Sequence, residues 1–309
     1  MDITVSAAIQ RFLDHCRVAK TLSPHTLRAY ATDLAHAEAR LGGAIAAASI
    51  GRDELRSYVG AMLRDEGLKE ASVKRRVATV KQLFKWLERE EAIALNPFHR
   101  LDLCIRLPRR LPRALAVEDI RKLLDRTRHE AEIRDTHSAH IMRFVVVALF
   151  VTGLRVGELA GARMSDVHQA EGVILVRGKG NRERRVYLPG EGARAALQDY
   201  LRARATIATD SDHLLISSNG SPVTPPRIRH RLAALATRAG VDRHVTPHML
   251  RHTAATQLIE AGVDIRFVQK LLGHASIATT QIYTQVSDTS LRSTLEQADT
   301  LGRIGGRRG

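Results

Sequence analysis

Apolar residues recur at helical spacing through the first third of the chain. The clearest run lies between positions 72 and 91, where the apolar side chains step by four, three, four and three residues: Val73, Val77, Val80, Phe84 and Leu87. That spacing puts one apolar stripe on a single helix face. Weaker runs precede it over 6–17, after Ser23-Pro24 and over 52–67. Because serine suits an N-cap and proline suits the first turn, the second of these has a clear helix start.

The second part of the chain mixes helical periods with one short β-like stretch. Segments 173–177 and 184–188 have the composition of strands, and Gly178-Lys179-Gly180-Asn181 between them forms a turn, which predicts a hairpin. Helices are predicted around it over 117–129, 137–152, 191–206, 226–239, 247–261, 264–272, 276–285 and 287–299. The predicted fold is therefore mainly α with a small β-hairpin.

A basic linker divides these two parts. Residues 105–113 contain two prolines and four arginines, which suits an extended segment better than a packed element. A chain of 309 residues also favours two cores over one. We expect a helical domain over 1–104, the linker over 105–113, a mixed domain over 114–300 and a basic disordered tail over 301–309.

The charge balance favours a polyanionic partner. Lys and Arg total 48 against 33 Asp and Glu, a net charge of +15. Basic side chains that neutralise phosphates release counterions, which drives binding to nucleic acid. Proteins encoded by GC-rich genomes are also rich in arginine and can carry a similar positive net charge. A row of lysines along one helix is also compatible with an ordinary solvated helix face. The candidate DNA contacts are Lys74, Arg75, Lys81, Lys85, Arg109, Arg110 and Arg182.

Cysteine use and hydropathy indicate a cytoplasmic protein. Cys16 and Cys104 have neither metal-ligand nor redox spacing, so reduced thiols are expected. The chain has no run of 18 or more apolar residues, and its N-terminus lacks a charged start followed by an apolar stretch. We therefore expect no transmembrane helix, no signal peptide and no contact with a membrane.

Two segments place charged residues where they can act on an anion. In TGLRVGEL, Arg155 and Glu158 are three positions apart at a predicted helix start, so Glu158 can support the guanidinium. A solvated ion pair would have the same spacing. Lys179 lies at the predicted hairpin tip, but Gly180 follows it where a nucleotide-binding loop needs Ser or Thr. Lys179 alone is also compatible with an ordinary exposed turn.

Two further segments add histidines and a tyrosine. His248, Arg251 and His252 share one helix face. A zinc protease motif would need Glu at 249, where Met stands, so metal binding is not expected. His274 and Tyr283 follow in LLGHAS and TTQIYT. A capping histidine and a packing tyrosine are the ordinary interpretations of each alone.

The ordered set of these residues resembles the tyrosine recombinase (phage integrase) family. The matching words are TGLRVGEL, GKGNRERRVYLP, HMLRH and LLGHASIATTQIYT, with FLDHCRVAKTLSPHTLRAYATDL and VKQLFKWLE in the first part. The resemblance implies an N-terminal helical core-binding (SAM-like) domain and a C-terminal mixed α/β catalytic domain. Within the family the chain is Xer-like, because it begins with the core-binding helices and shows no arm-binding domain before them.

The resemblance assigns phosphate contacts to three residues and a supporting role to a fourth. Arg155 and Arg251 would clamp the non-bridging oxygens, His274 would hydrogen-bond the phosphate, and Glu158 would orient Arg155. Two planar guanidiniums suit this task because each can donate in bidentate geometry.

The resemblance also assigns the covalent chemistry. Tyr283 would attack the phosphate, His248 would accept its proton, and Lys179 would protonate the leaving 5′-hydroxyl, with His252 in a supporting role. The 3′-phosphotyrosine product conserves the bond energy, so neither ATP nor a metal is expected.

The implied partner is double-stranded DNA at a specific site, bound by a homo- or hetero-tetramer that includes a second recombinase in some systems. Chromosome dimer resolution, plasmid monomerisation and mobile-element integration use the same residues, so the sequence leaves the biological role open. Two alternatives differ in activity. The helix–glycine–helix pattern over 247–272 is compatible with a DNA-binding regulator. The nucleophile with its Arg, Lys and His partners is compatible with a type IB topoisomerase.

Overall fold

The computed structural model describes residues 2–19, 22–99, 101–103, 105, 114–178, 183–272, 296–298 and 302. The chain divides into two compact units, Met1–Arg110 and Leu111–Gly309. Most of the predicted linker and tail lies outside the described residues, as does Cys104. Among the described helices, none combines the length and the apolar character needed to span a bilayer.

The first unit is helical, as predicted. It contains α1 (Val5–Val18), α2 (Pro24–Leu41), α3 (Arg52–Arg64) and α4 (Glu70–Arg89). The Ser23 hydroxyl accepts a hydrogen bond from the Thr26 backbone N–H at 3.2 Å, which confirms the predicted cap of α2. The apolar stripe of α4 enters a core built around Phe12, in which Phe84 and Leu87 are buried.

A buried carboxylate joins α2 to α4 in this unit. Asp33 is fully buried and accepts hydrogen bonds from Arg75 and, at 3.0 Å, from the Thr79 hydroxyl. Arg75 thus has a defined partner inside the protein, although its side chain remains half-exposed. Separating α2 from α4 would leave the buried Asp33 carboxylate without its partner, which is energetically costly. The ion pair therefore stabilises the packing of these two helices.

The second unit surrounds a small sheet with helices. Its elements are α5 (Val117–Arg134), α6 (His137–Thr152), α7 (Val156–Gly161), β1 (Val167–His168), β2 (Val173–Arg177), β3 (Glu183–Tyr187), α8 (Gly190–Ala205), α9 (Pro225–Arg238), α10 (Pro247–Glu260) and α11 (Ile265–Leu272). The predicted helix over 276–285 lies outside the described residues, and that over 287–299 is described only at 296–298, which is helical.

The sheet is antiparallel in the order β1-β2-β3. Val173 pairs with Tyr187 and Arg177 with Glu183, so the predicted hairpin is confirmed. β1 adds a third strand that the sequence did not predict, because two residues are too few to show an alternating pattern. The predicted fold, mainly helical with a small β component, is confirmed.

Helix α6 forms the centre of the second unit. Its second half, over 144–151, carries only apolar side chains, and Phe144, Leu149 and Phe150 are fully buried. A helix of this kind must be covered by other elements, and α5, α8 and α10 pack against it. Its C-terminal end is therefore a rigid point from which the next segment begins.

Candidate functional site

The site begins where α6 passes into α7. Gly153 adopts the left-handed conformation, with φ +62°, and ends α6. Arg155 then caps α7, and Glu158 in its first turn folds back on it. The Glu158 carboxylate accepts from the Arg155 backbone N–H and from Arg155 Nη1, both at 2.9 Å. Glu158 thus accepts two hydrogen bonds from Arg155, which the spacing of three positions in TGLRVGEL allows.

A second arginine holds the same carboxylate. Arg184 on β3 donates from Nη1 and Nη2 to the two oxygens of Glu158, at 3.0 and 2.8 Å. Burial alone would raise the pKa of Glu158. The hydrogen bonds from Arg184 and Arg155 outweigh that effect and lower this pKa below its ordinary value. Glu158 is therefore an ionised, buried carboxylate between two guanidiniums.

Arg251 on α10 is only 5% exposed. Its Nη1 donates to the carbonyl oxygen of Gly153 and its Nη2 to that of Leu272, both at 2.6 Å. Burial lowers the pKa of Arg251 to about 10, with the positive charge of Arg155 as the next cause. The guanidinium remains protonated at neutral pH and joins the ends of α6 and α11.

The histidines of α10 lie on its outer side. The spacing of His248, Arg251 and His252 places them within one arc of the helix, as predicted, but the two histidines are exposed whereas Arg251 at the edge of that arc is buried. The helix starts at Pro247, and the Thr246 side chain accepts from the Met249 backbone N–H at 3.3 Å. Within the described part of the chain, no group of three or more His, Cys, Asp or Glu is arranged to hold a metal ion.

The structure thus brings together Arg155, Glu158 and Arg251 of the predicted site. His248 and His252 lie on the helix that carries Arg251. The other predicted site residues are outside the described part: Lys179, His274 and Tyr283. Their roles stay predictions.

Sequence reasoning missed Arg184. One local signal was present, since Arg184 and Val186 are two positions apart and share one face of β3, and Val186 is buried. An arginine on the inward face of a strand needs a buried partner, and here that partner is Glu158.

Of the predicted DNA contacts, Lys74, Lys81 and Lys85 are exposed on α4. Arg75 is held by Asp33, as described above. The remaining ones lie outside the described residues: Arg109, Arg110 and Arg182.

We expect Gly153→Ala to disrupt this site. A Cβ on Gly153 would lie 2.5 Å from Leu272 Cδ2, and its φ of +62° is unfavourable for alanine. The left-handed conformation alone costs about 1–2 kcal/mol in a residue with a Cβ. The variant should lose at least that much free energy of unfolding, measured by chemical denaturation, and the acceptor of Arg251 should move.

Gly157→Ala is the matched control on α7. A Cβ at Gly157 meets nothing within 4 Å. Removing a helical glycine gains about 0.5–1 kcal/mol. Equal stability of the two variants would show that neither the left-handed conformation at Gly153 nor its contact with Leu272 disfavours a side chain there.

Comparison with known protein families covers both units. A family model described as the phage integrase family matches residues 113–290. A second, described as the phage integrase N-terminal SAM-like domain, matches residues 9–91.

Individual proteins resemble the chain over nearly its whole length. Tyrosine recombinase XerD of Halalkalibacterium halodurans is 34% identical over 300 residues, covering 94% of this chain and 96% of that protein. Tyrosine recombinase XerC of Listeria innocua is 36% identical over 295 residues, covering 92% and 95%. The structure of a lambda integrase tetramer bound to a Holliday junction is similar in fold, with a TM-score of 0.68 at 20% identity over 92% of this chain and 80% of that one.

Proposed function

This chain belongs to the phage integrase family of tyrosine recombinases, and on that premise we propose that it exchanges DNA strands at a specific site through a covalent bond to Tyr283. The observation that carries the proposal is the meeting of Arg155 and Arg251 at the end of α6, with Glu158 between Arg155 and the sheet. The guanidiniums of Arg155, Arg184 and Arg251 surround one buried carboxylate, that of Glu158, which leaves net positive charge for a phosphate.

The two arginines would stabilise the charge that develops during attack. As the nucleophile adds to a phosphodiester, negative charge builds on the non-bridging oxygens, and fixed donors lower the energy of that state most. Arg251 is fixed by two backbone carbonyls, and Arg155 by Glu158. Both are therefore preorganised before DNA binds.

The remaining steps fall to the other family residues. A free phenol has a pKa of about 10, so Tyr283 needs a base, which we assign to His248. The Tyr283 oxygen bonds to phosphorus as the bond to the 5′-oxygen breaks. Lys179 would donate a proton to that 5′-oxygen, and His274 would bind the phosphate. Attack by the 5′-hydroxyl of another strand reverses these steps and rejoins the DNA without ATP.

The partner we propose is duplex DNA, bound by four subunits. The lambda integrase structure named above is a tetramer on a Holliday junction, and strand exchange between two sites requires four active sites. The tetramer would be homomeric or would include a second recombinase. Contacts from Lys74, Lys81 and Lys85 to phosphates would position the first unit without reading sequence. The enzyme would act in the cytoplasm, on the nucleoid.

Covalent trapping tests this function. Purified protein is mixed with fragmented, nicked host DNA, the mixture is denatured, and DNA attached to protein is sequenced. We expect adducts concentrated at one sequence. No adduct, with or without candidate partner recombinases, would refute the proposal. Adducts spread over all sequences, with relaxation of a supercoiled plasmid that lacks the site, would favour a type IB topoisomerase activity instead.

A further inference from the structure

We propose that Arg184 is a positioning residue for strand cleavage, which orients Glu158 and Arg155 and holds the end of α11. The inference rests on the function proposed above. Arg184 is not among the residues that the family resemblance assigned, and its contacts, not its sequence context, identify it. Every nitrogen of its guanidinium donates to a protein acceptor: two to Glu158 and Nε to the carbonyl of Leu271, at 3.3 Å.

The contacts to Glu158 fix the plane of the carboxylate. Each of its oxygens accepts one hydrogen bond from each arginine. Oε1 accepts from the Nη1 atoms of Arg155 and Arg184, and Oε2 accepts from the Arg155 backbone N–H and from Arg184 Nη2. Without Arg184, each carboxylate oxygen loses one of its two donors, and the acceptor of the Arg155 side chain is held only by Arg155 itself.

The exposure of the two arginines separates their roles. The Arg155 side chain is 45% exposed, whereas that of Arg184 is 19% exposed. Arg155 therefore presents its guanidinium to solvent, where a phosphate would bind. Arg184 lies behind it and acts on the reaction through Glu158.

Arg184 also reaches the end of α11. Its Nε donates to Leu271, and Arg251 donates to the carbonyl of the next residue, Leu272. The last carbonyls of a helix lack intrahelical partners and interact favourably with positive charge. Only 11 positions separate Leu272 from Tyr283. Two arginines thus fix the point from which the chain continues towards the proposed nucleophile.

The test compares Arg184→Gln with Arg185→Gln. Arg185 is the next residue of β3 and is exposed, so the control removes the same charge from the same strand. The trapped site supplies a nicked substrate for single-turnover cleavage at saturating protein. Since a misplacement of about 1 Å costs roughly 100-fold in rate, we expect Arg184→Gln to cleave about 10- to 100-fold more slowly. DNA affinity should stay near the wild-type value, as should the cleavage rate of Arg185→Gln.

A double-mutant cycle shows whether Arg184 acts through Glu158. If it does, Arg184→Gln should lower the rate much less in a Glu158→Gln background than in the wild type. A merely structural role would lower the rate equally in both backgrounds. The double variant removes the guanidinium and the carboxylate together and so leaves neither charge unpaired. If Arg184→Gln alone fails to fold, the cleavage rate of the double variant can still be compared with that of Glu158→Gln.

The outcomes separate the inference from the function. No adduct with the wild-type chain would overturn both. Normal adduct formation by the wild type together with a wild-type rate for Arg184→Gln would overturn the inference alone. So would a slow Arg184→Gln whose effect is unchanged by Glu158→Gln, or an equally slow Arg185→Gln.

Discussion

Tyr283→Phe should form no covalent adduct with DNA while binding the recombination site about as well as the wild-type chain. The substitution removes one hydroxyl group and keeps the ring. The phenolic oxygen is the atom that would bond to phosphorus, and phenylalanine has no replacement for it. The measurement is a denaturing gel of protein mixed with nicked site DNA, with affinity determined separately by titration.

The matched control makes the same substitution at a different tyrosine. Tyr187→Phe removes a hydroxyl from a tyrosine on β3 that packs in the core around Leu258 and Leu271. It should form adducts at the wild-type rate. Continued cleavage by Tyr283→Phe would show that another residue is the nucleophile. Loss of DNA binding by the same variant would show that Tyr283 contributes to the complex rather than to chemistry alone.

The elements that the sequence predicted well are those whose pattern is local. Helix α6 was predicted over 137–152 and spans His137–Thr152, because its second half is wholly apolar and the helix lies between a threonine cap and a left-handed glycine. Strand β2 was likewise predicted over the residues it occupies. In both segments the apolar pattern that predicts the element lies within the segment itself.

The candidate site was predictable where its contacts are local and unpredictable where they are distant. Glu158 contacts Arg155 from three positions away, and that spacing is visible in the sequence. Arg184 contacts Glu158 from 26 positions away and Leu271 from 87. No periodicity relates such positions, so the contacts of Arg184 required the structure.

The close positive charges of the site destabilise the free protein and favour the binding of a phosphate. Arg155 and Arg184 share one buried carboxylate, and their charges add to burial in lowering the pKa of the nearby Arg251. Like charges held together destabilise the free protein. A bound phosphate would offset that repulsion, and the same donors would interact still more strongly with the doubly charged transition state. The buried network therefore supplies the rigidity that keeps three guanidiniums close without DNA.

Arg251→Ala should lose both catalysis and stability. From the sequence alone, we expect the Arg251→Ala variant to fold but to be inactive, because the phosphate is the partner that the sequence assigns to Arg251. The structure adds that Arg251 satisfies the carbonyls of Gly153 and Leu272. Leaving buried acceptors without a donor costs about 1–3 kcal/mol. Losing a preorganised donor to the transition state costs roughly 100-fold or more in rate. Denaturant unfolding and single-turnover cleavage measure the two effects separately.

Comparison with Arg155→Ala distinguishes the catalytic role of Arg251 from its structural role. Because the Arg155 side chain is half-exposed and its partner Glu158 keeps Arg184, this variant should lose a similar factor in cleavage rate with a smaller loss of unfolding free energy. Equal losses of stability in the two variants would mean that the carbonyl contacts of Arg251 contribute nothing beyond its charge. A wild-type cleavage rate for Arg251→Ala would remove it from the phosphate clamp. A large rate loss in both variants, with the larger loss of stability only in Arg251→Ala, would show that one guanidinium serves catalysis while joining α6 to α11.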